Sequence, residues 1–120
     1  MSKTTSPRMR KVNELLREVI AEEATELKDP RIGFLTITGV DTAPNLRNAR
    51  VYYSVIGDDE QHEETAAALK SAAKRFQAVI GRQTRLKYTP VLEFLVDPAI
   101  DEGLRMDALL HNLRDDEETT

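Results

Sequence analysis

Between two short alternating apolar segments, "ARVYYSVI" (Ala49–Ile56) and "VLEFLVD" (Val91–Asp97), the chain carries a long run with helical periodicity. Leu69, Ala72, Ala73, Phe76, Val79 and Ile80 fall on one face at about 100° per residue. This order of strand, helix and strand constrains the fold more than any other feature. A helix that links two neighbouring strands carries the chain back to the starting end of the sheet. The two strands are therefore expected to be parallel, with a right-handed connection. The periodicity predicts one unbroken helix from about Glu63 to Gly81, where glycine suits a helix stop. The preceding "GDDEQHEE" reads as an acidic polar loop.

Upstream lie a first helix and a first strand. Ser6 can cap the helix, and Pro7 suits its first position, where a missing N–H costs nothing. Val12, Leu15, Leu16, Val19, Ile20 and Leu27 recur at helical spacing and give one apolar stripe. Asp29-Pro30 closes the segment, because the residue before proline is pushed out of the helical region. "GFLTITGV" (Gly33–Val40) then reads as a strand, with Leu35 and Ile37 alternating with Thr36 and Thr38. "DTAPNLRN" (Asp41–Asn48) is turn-forming around Pro44-Asn45. In the next strand Ala49, Val51, Tyr53 and Val55 face one way, and Arg50, Tyr52, Ser54 and Ile56 the other. A hairpin follows from this pattern. "EGLRMDALLHNL" reads as a short final helix or turn, and "RDDEETT" as an acidic disordered tail.

A chain of 120 residues supports one hydrophobic core and not two. The expected domain spans 1–113, with 114–120 as the tail. One three-stranded sheet can bury a single face against two helices, an α+β fold of two layers. Cysteine is absent, which removes disulfides, thiol nucleophiles and thiolate metal sites. His62 and His111 stand far apart, so no histidine metal centre is expected. No apolar run is long enough to cross a bilayer, and "MSKTTSPRMR" lacks a signal-peptide core. The carboxylates Asp58 and Asp59 have no neighbouring base, and no glycine-rich phosphate loop or nucleophile triad is present. The expectation is a cytoplasmic, non-enzymatic monomer with no cofactor and no metal.

"KSAAKRFQAVIGRQTRLKY" (Lys70–Tyr88) holds Lys70, Lys74, Arg75, Arg82, Arg85 and Lys87 and no acid. The chain as a whole has 21 acids against 17 lysines and arginines, so this clearance is local. A solvated helix face ordinarily mixes signs, since opposite charges four apart stabilise it by a few tenths of a kcal/mol. The first helix does so, with Arg10 and Arg17 near Glu14 and Glu18. The second accepts repulsion between Lys70 and Lys74 instead. A face of one sign suits a polyanion, whose counterions are released as lysines and arginines meet its phosphates. Arg8, Arg10 and Lys11 can extend it. Tyr52 can stack a base, whereas Tyr53 is expected in the core.

"KDPRIGFLTITGV", "ARVYYSV", "SAAKRFQAVIGRQTRLKYTPVLEFLVD" and "EGLRMDALL", in this order and spacing, resemble the ribosome-binding factor A family from about Arg8 to Leu110. Lys28-Asp29-Pro30-Arg31, Arg85-Leu86-Lys87-Tyr88-Thr89-Pro90, and Gly103 with Arg105 carry the resemblance most. It implies a KH-like domain of the second type, helix-strand-strand-helix-strand, with the second helix bent in the middle. The family bends at an alanine-x-glycine motif, and here those positions read Ala72-Ala73-Lys74. It further implies a bacterial assembly factor that binds the free small ribosomal subunit through its rRNA. Such proteins aid late maturation and rRNA end processing, above all in the cold. The expected rRNA-binding set is Arg8, Arg10, Lys11, Arg31, Lys70, Lys74, Arg75, Arg82, Arg85 and Lys87. Two alternatives are a KH-type regulator of messenger RNA and a protein-interaction adaptor.

Overall fold

The structure, a computed structural model, describes residues 6–98. Its elements are α1 (Pro7–Glu26), β1 (Phe34–Thr42), β2 (Asn48–Ile56), α2 (Asp59–Gln83) and β3 (Val91–Val96). The final helix or turn expected after Asp101, with Gly103, Arg105 and His111, and the acidic tail lie outside the described residues. The sheet order is β1-β2-β3, with β1 antiparallel and β3 parallel to the central β2. Both helices pack on one face, so the two-layer α+β arrangement and the parallel crossover pair stand as expected.

Local chemistry explains each element. Ser6 caps α1 by accepting a hydrogen bond from Met9 N at 3.2 Å, and Pro7 fills the first position. Leu16, Val19 and Ile20 are buried, and Val12 and Leu27 are partly so. Leu15, counted in the stripe, is 39% exposed. The helix rests chiefly on β1, an edge strand, with α2 beside it.

β2 alternates as expected: Ala49, Val51, Tyr53 and Val55 are buried, and Tyr53 is in the core. In β1 the register slips between Ile37 and Gly39, leaving Thr38 as the extra residue of a bulge. The slip re-phases the strand, so Ile37, Val40 and Thr42 all face the core. It also lets the Thr38 hydroxyl reach Asp97 Oδ2 at 2.6 Å, which ties β1 to the chain leaving β3.

The second helix departs from expectation at both ends. It begins at Asp59, inside the segment read as an acidic loop, because Asp58 Oδ1 accepts from Gln61 N at 2.8 Å and caps it. Asp59 and Glu60 then occupy the first turn, where the helix dipole favours acids. At the other end the helix passes Gly81 and stops at Gln83, with Thr84 as cap. Between these limits α2 is helical without interruption, Ala72-Ala73-Lys74 included. Alanine is the best helix former, and no glycine or proline here frees a backbone group. Replacing Asp58 by alanine is expected to lower stability by about 1 kcal/mol. A circular-dichroism melt reads this as a loss of a few degrees, and an unchanged melt refutes the capping role.

Candidate nucleic-acid interface

Charge is segregated along α2. Asp59, Glu60, Glu63 and Glu64 lie in its first two turns, and every charged residue from Lys70 to its end is basic. The acidic start of α2 stands beside the start of β1, since Gln61 Nε2 donates to Arg31 O at 2.8 Å. The basic end runs toward the start of β3, where Gln77 Nε2 donates to Pro90 O at 2.9 Å. The start of α1 reaches the same end of the sheet, because Asn13 Oδ1 accepts from Thr42 N at 2.8 Å. Arg8, Arg10 and Lys11 are thereby gathered toward Arg82, Arg85 and Lys87. All six are exposed.

Two expected site residues sit apart from that end. Arg31 and Arg75 line a groove of about 590 Å3 between the chain after α1 and the middle of α2, together with Lys28 and Asp29. Each is already answered by a carboxylate. Arg75 Nε lies 2.6 Å from Glu23 Oε1 on α1, 52 residues away in sequence. Arg31 grips Asp29 through two nitrogens, at 3.0 Å from Nε to Oδ1 and 2.6 Å from Nη2 to Oδ2. Those bonds, with a further one from Arg31 N, hold the Asp29 carboxyl down at about 2.

A depressed carboxyl adds stability above its unfolded value, near 3.9, and that contribution fades as pH falls toward 2. A carbon-detected NMR titration of Asp29 is expected to give a midpoint near 2. Arg31→Ala is expected to return the midpoint to the ordinary range. A midpoint that stays low in the variant rules out Arg31 as the cause.

Lys70 and Lys74 stand one turn apart on the outer ridge of α2, exposed and opposite Phe76 and Ile80. Among the described residues no carboxylate comes within ion-pair distance of Lys70, Lys74, Arg82, Arg85 or Lys87. That unanswered charge is what a polyanion can use.

The structure adds Arg47, which sequence reasoning missed. Parallel pairing sets Val91 N 2.9 Å from Arg47 O, and the Arg47 guanidinium carbon lies 4.3 Å from the Tyr88 ring centroid. Arg47 is far from the cationic run in sequence, and only the β2–β3 register joins them. Arg50 belongs elsewhere. It sits on the open sheet face with Asp41 and Glu93 as its cross-strand neighbours, so its charge is balanced. Tyr52 is half-buried on that same face, away from the basic end of α2.

A family model described as ribosome-binding factor A matches residues 8–110. A protein of that name from Geobacter sulfurreducens is 44% identical over 107 residues, 88% of this chain and 91% of the relative. One from Halothermothrix orenii is 36% identical over 113 residues, 93% of each chain. The crystal structure of ribosome-binding factor A from Thermus thermophilus superposes with a TM-score of 0.67 at 30% identity, covering 73% of this chain and 94% of that one. A homology model of the Thermus thermophilus protein, fitted into a cryo-electron-microscopy map of a 30S complex, gives 0.61 at 31% identity, covering 72% and 91%. The shared fold is KH-like.

Proposed function

The chain belongs to the ribosome-binding factor A family, and on that premise we propose that it binds the free small ribosomal subunit through rRNA and aids its late maturation. The fitted 30S complex of the Thermus thermophilus relative supports the choice of partner. The observation that carries the contact surface is the end of the molecule where Arg82, Arg85 and Lys87 stand with no carboxylate in ion-pair distance among the described residues. Arg8, Arg10 and Lys11 extend that surface, and Lys70 and Lys74 line its approach along α2. Arg31 and Arg75 act at its margin, because Asp29 and Glu23 already balance them. The domain works in the cytoplasm as a binding factor and not as a catalyst. It aids rRNA end processing by holding the immature subunit.

The geometry favours phosphates fixed by folded RNA over a flexible strand. A single-strand-reading KH domain uses a Gly-x-x-Gly loop that lets the backbone approach four nucleotides. Here α2 runs on as helix, and its cations are spread over several turns. Contacts at fixed spacing then form without the loss of freedom that ordering a strand would require. Co-sedimentation with purified small subunits tests the reading. Binding to free small subunits, steeply weakened by salt, is the expected result. Equal binding to a pool of short single-stranded oligonucleotides would favour a messenger-RNA regulator. Salt-insensitive binding would favour an adaptor.

A further inference from the structure

Tyr88 is flanked by two cations from separate parts of the chain. The Arg47 guanidinium carbon is 4.3 Å from its ring centroid, and Lys87 Nζ is 5.5 Å from it. We propose that Arg47, Tyr88 and Lys87 form a nucleotide subsite, in which an unpaired rRNA base stacks on the Arg47 guanidinium and Lys87 takes its phosphate. The inference rests on the rRNA-binding reading above and names a residue-level contact within it.

Arg47 is held in place before any ligand arrives. The turn that carries it is closed by Ala43 N donating to Asn48 O and Leu46 N to Ala43 O, both at 2.8 Å. Asn45 Oδ1 accepts from Arg47 N at 3.0 Å. Within this turn Leu46 adopts φ 63, a left-handed conformation that costs a residue of its kind about 1–3 kcal/mol. The flanking bonds hold that strained turn in shape. Its effect is to lay the guanidinium over Tyr88 while Arg47 remains exposed. An exposed planar cation held over a ring offers a base a stacking platform.

A purely structural role does not account for the cluster. An exposed cation–π contact stabilises by about 0.5–1 kcal/mol, and one cation suffices for it. Lys87 places a second positive charge at the same ring, 5.5 Å from its centroid. Among the described residues neither has a carboxylate in ion-pair distance. An anion at this ring meets both charges, and a nucleotide supplies both the anion and a flat π face. Stacking is indifferent to base identity, so the subsite selects an unpaired nucleotide and not a sequence. One such contact is too weak to hold a short oligonucleotide alone.

The test measures affinity for purified small subunits, and its salt dependence, for the wild type, Arg47→Lys, Arg47→Ala and Lys87→Gln, each with a melting curve. Arg47→Lys keeps the charge and removes the planar face. It is expected to lose roughly 5- to 150-fold in affinity with an unchanged salt slope, the range of one stacked base. Lys87→Gln is expected to make the slope shallower by about one. Full affinity in Arg47→Lys overturns the stacking role, and with loss only in Arg47→Ala it leaves a phosphate contact. Affinity that falls in step with melting temperature across both Arg47 variants also overturns it, since Arg47 then only supports the turn. Failure of the wild type to bind at all is a different result and defeats the rRNA-binding reading itself.

Discussion

Replacing Phe76 by alanine is expected to lower the free energy of unfolding by about 3–5 kcal/mol. Phe76 sits mid-way along the buried face of α2 and is 1% exposed. Its ring meets that of Phe94 on β3, with centroids 5.4 Å apart and the planes tilted by 49°. Truncation loses the transfer energy of the ring and that aromatic contact. It also leaves a cavity between a helix and a sheet, neither of which can close on it without moving the other. Domains of ordinary size are stable by only about 5–15 kcal/mol, so the variant should stand near the edge of folding. Urea denaturation should show a lower midpoint with an unchanged slope. Phe34→Ala is the control: Phe34 is 80% exposed, and its loss should change stability by no more than about 0.5 kcal/mol. A Phe76→Ala midpoint equal to wild type would mean that α2 packs through another face.

What could be read in advance was whatever repeats over a few residues. The Phe76 stripe, the alternation of Ala49 to Val55 and the Ser6-Pro7 start of α1 are local patterns, and the structure bears out each of them. The parallel pairing of β2 and β3 followed from chain connectivity. The start of α2 is not legible in the sequence, because Asp58 looks the same in a loop and in a cap; only its bond to Gln61 N tells the two apart. The bulge at Thr38 was hidden for a different reason. Strict alternation would have turned Val40 outward, and only the pairing of Ile37 with Tyr53 and Gly39 with Tyr52 reveals the slip.

The candidate site divides in the same way. Its sign and position on α2 were legible in the run from Lys70 to Tyr88, because counting charges needs no tertiary structure. Which cations are available was not legible. Glu23 and Arg75 belong to different helices, and the packing of α1 on α2 makes them partners. Asp29 and Arg31 are two residues apart, and their pairing depends on the bend of the chain at Pro30. Arg47 entered the site through strand register alone. The acid-free run in sequence and the unanswered charge in space therefore overlap without coinciding.

That distinction sets the other large effect. Reversing Arg82, Arg85 and Lys87 together to glutamate is expected to weaken binding to small subunits by roughly 100-fold or more at moderate salt. It should also make the salt slope shallower by about three, one for each lost phosphate contact. All three side chains are exposed, so the fold should survive, apart from about 0.3–1 kcal/mol lost at the end of α2 where Arg82 complements the helix dipole. A melting curve separates that small cost from the loss of binding. Arg31→Gln with Arg75→Gln removes two cations that sit apart from that end and should matter much less. Asp29 and Glu23 already balance them, so their neutralisation changes the local potential little where phosphate would approach. Measuring both variants against the same subunits ranks the two groups directly. Normal binding by the triple reversal would show that these cations are only a solvated surface. Equal losses in the two variants would show that total charge governs binding, and not the charge left free at the end of α2.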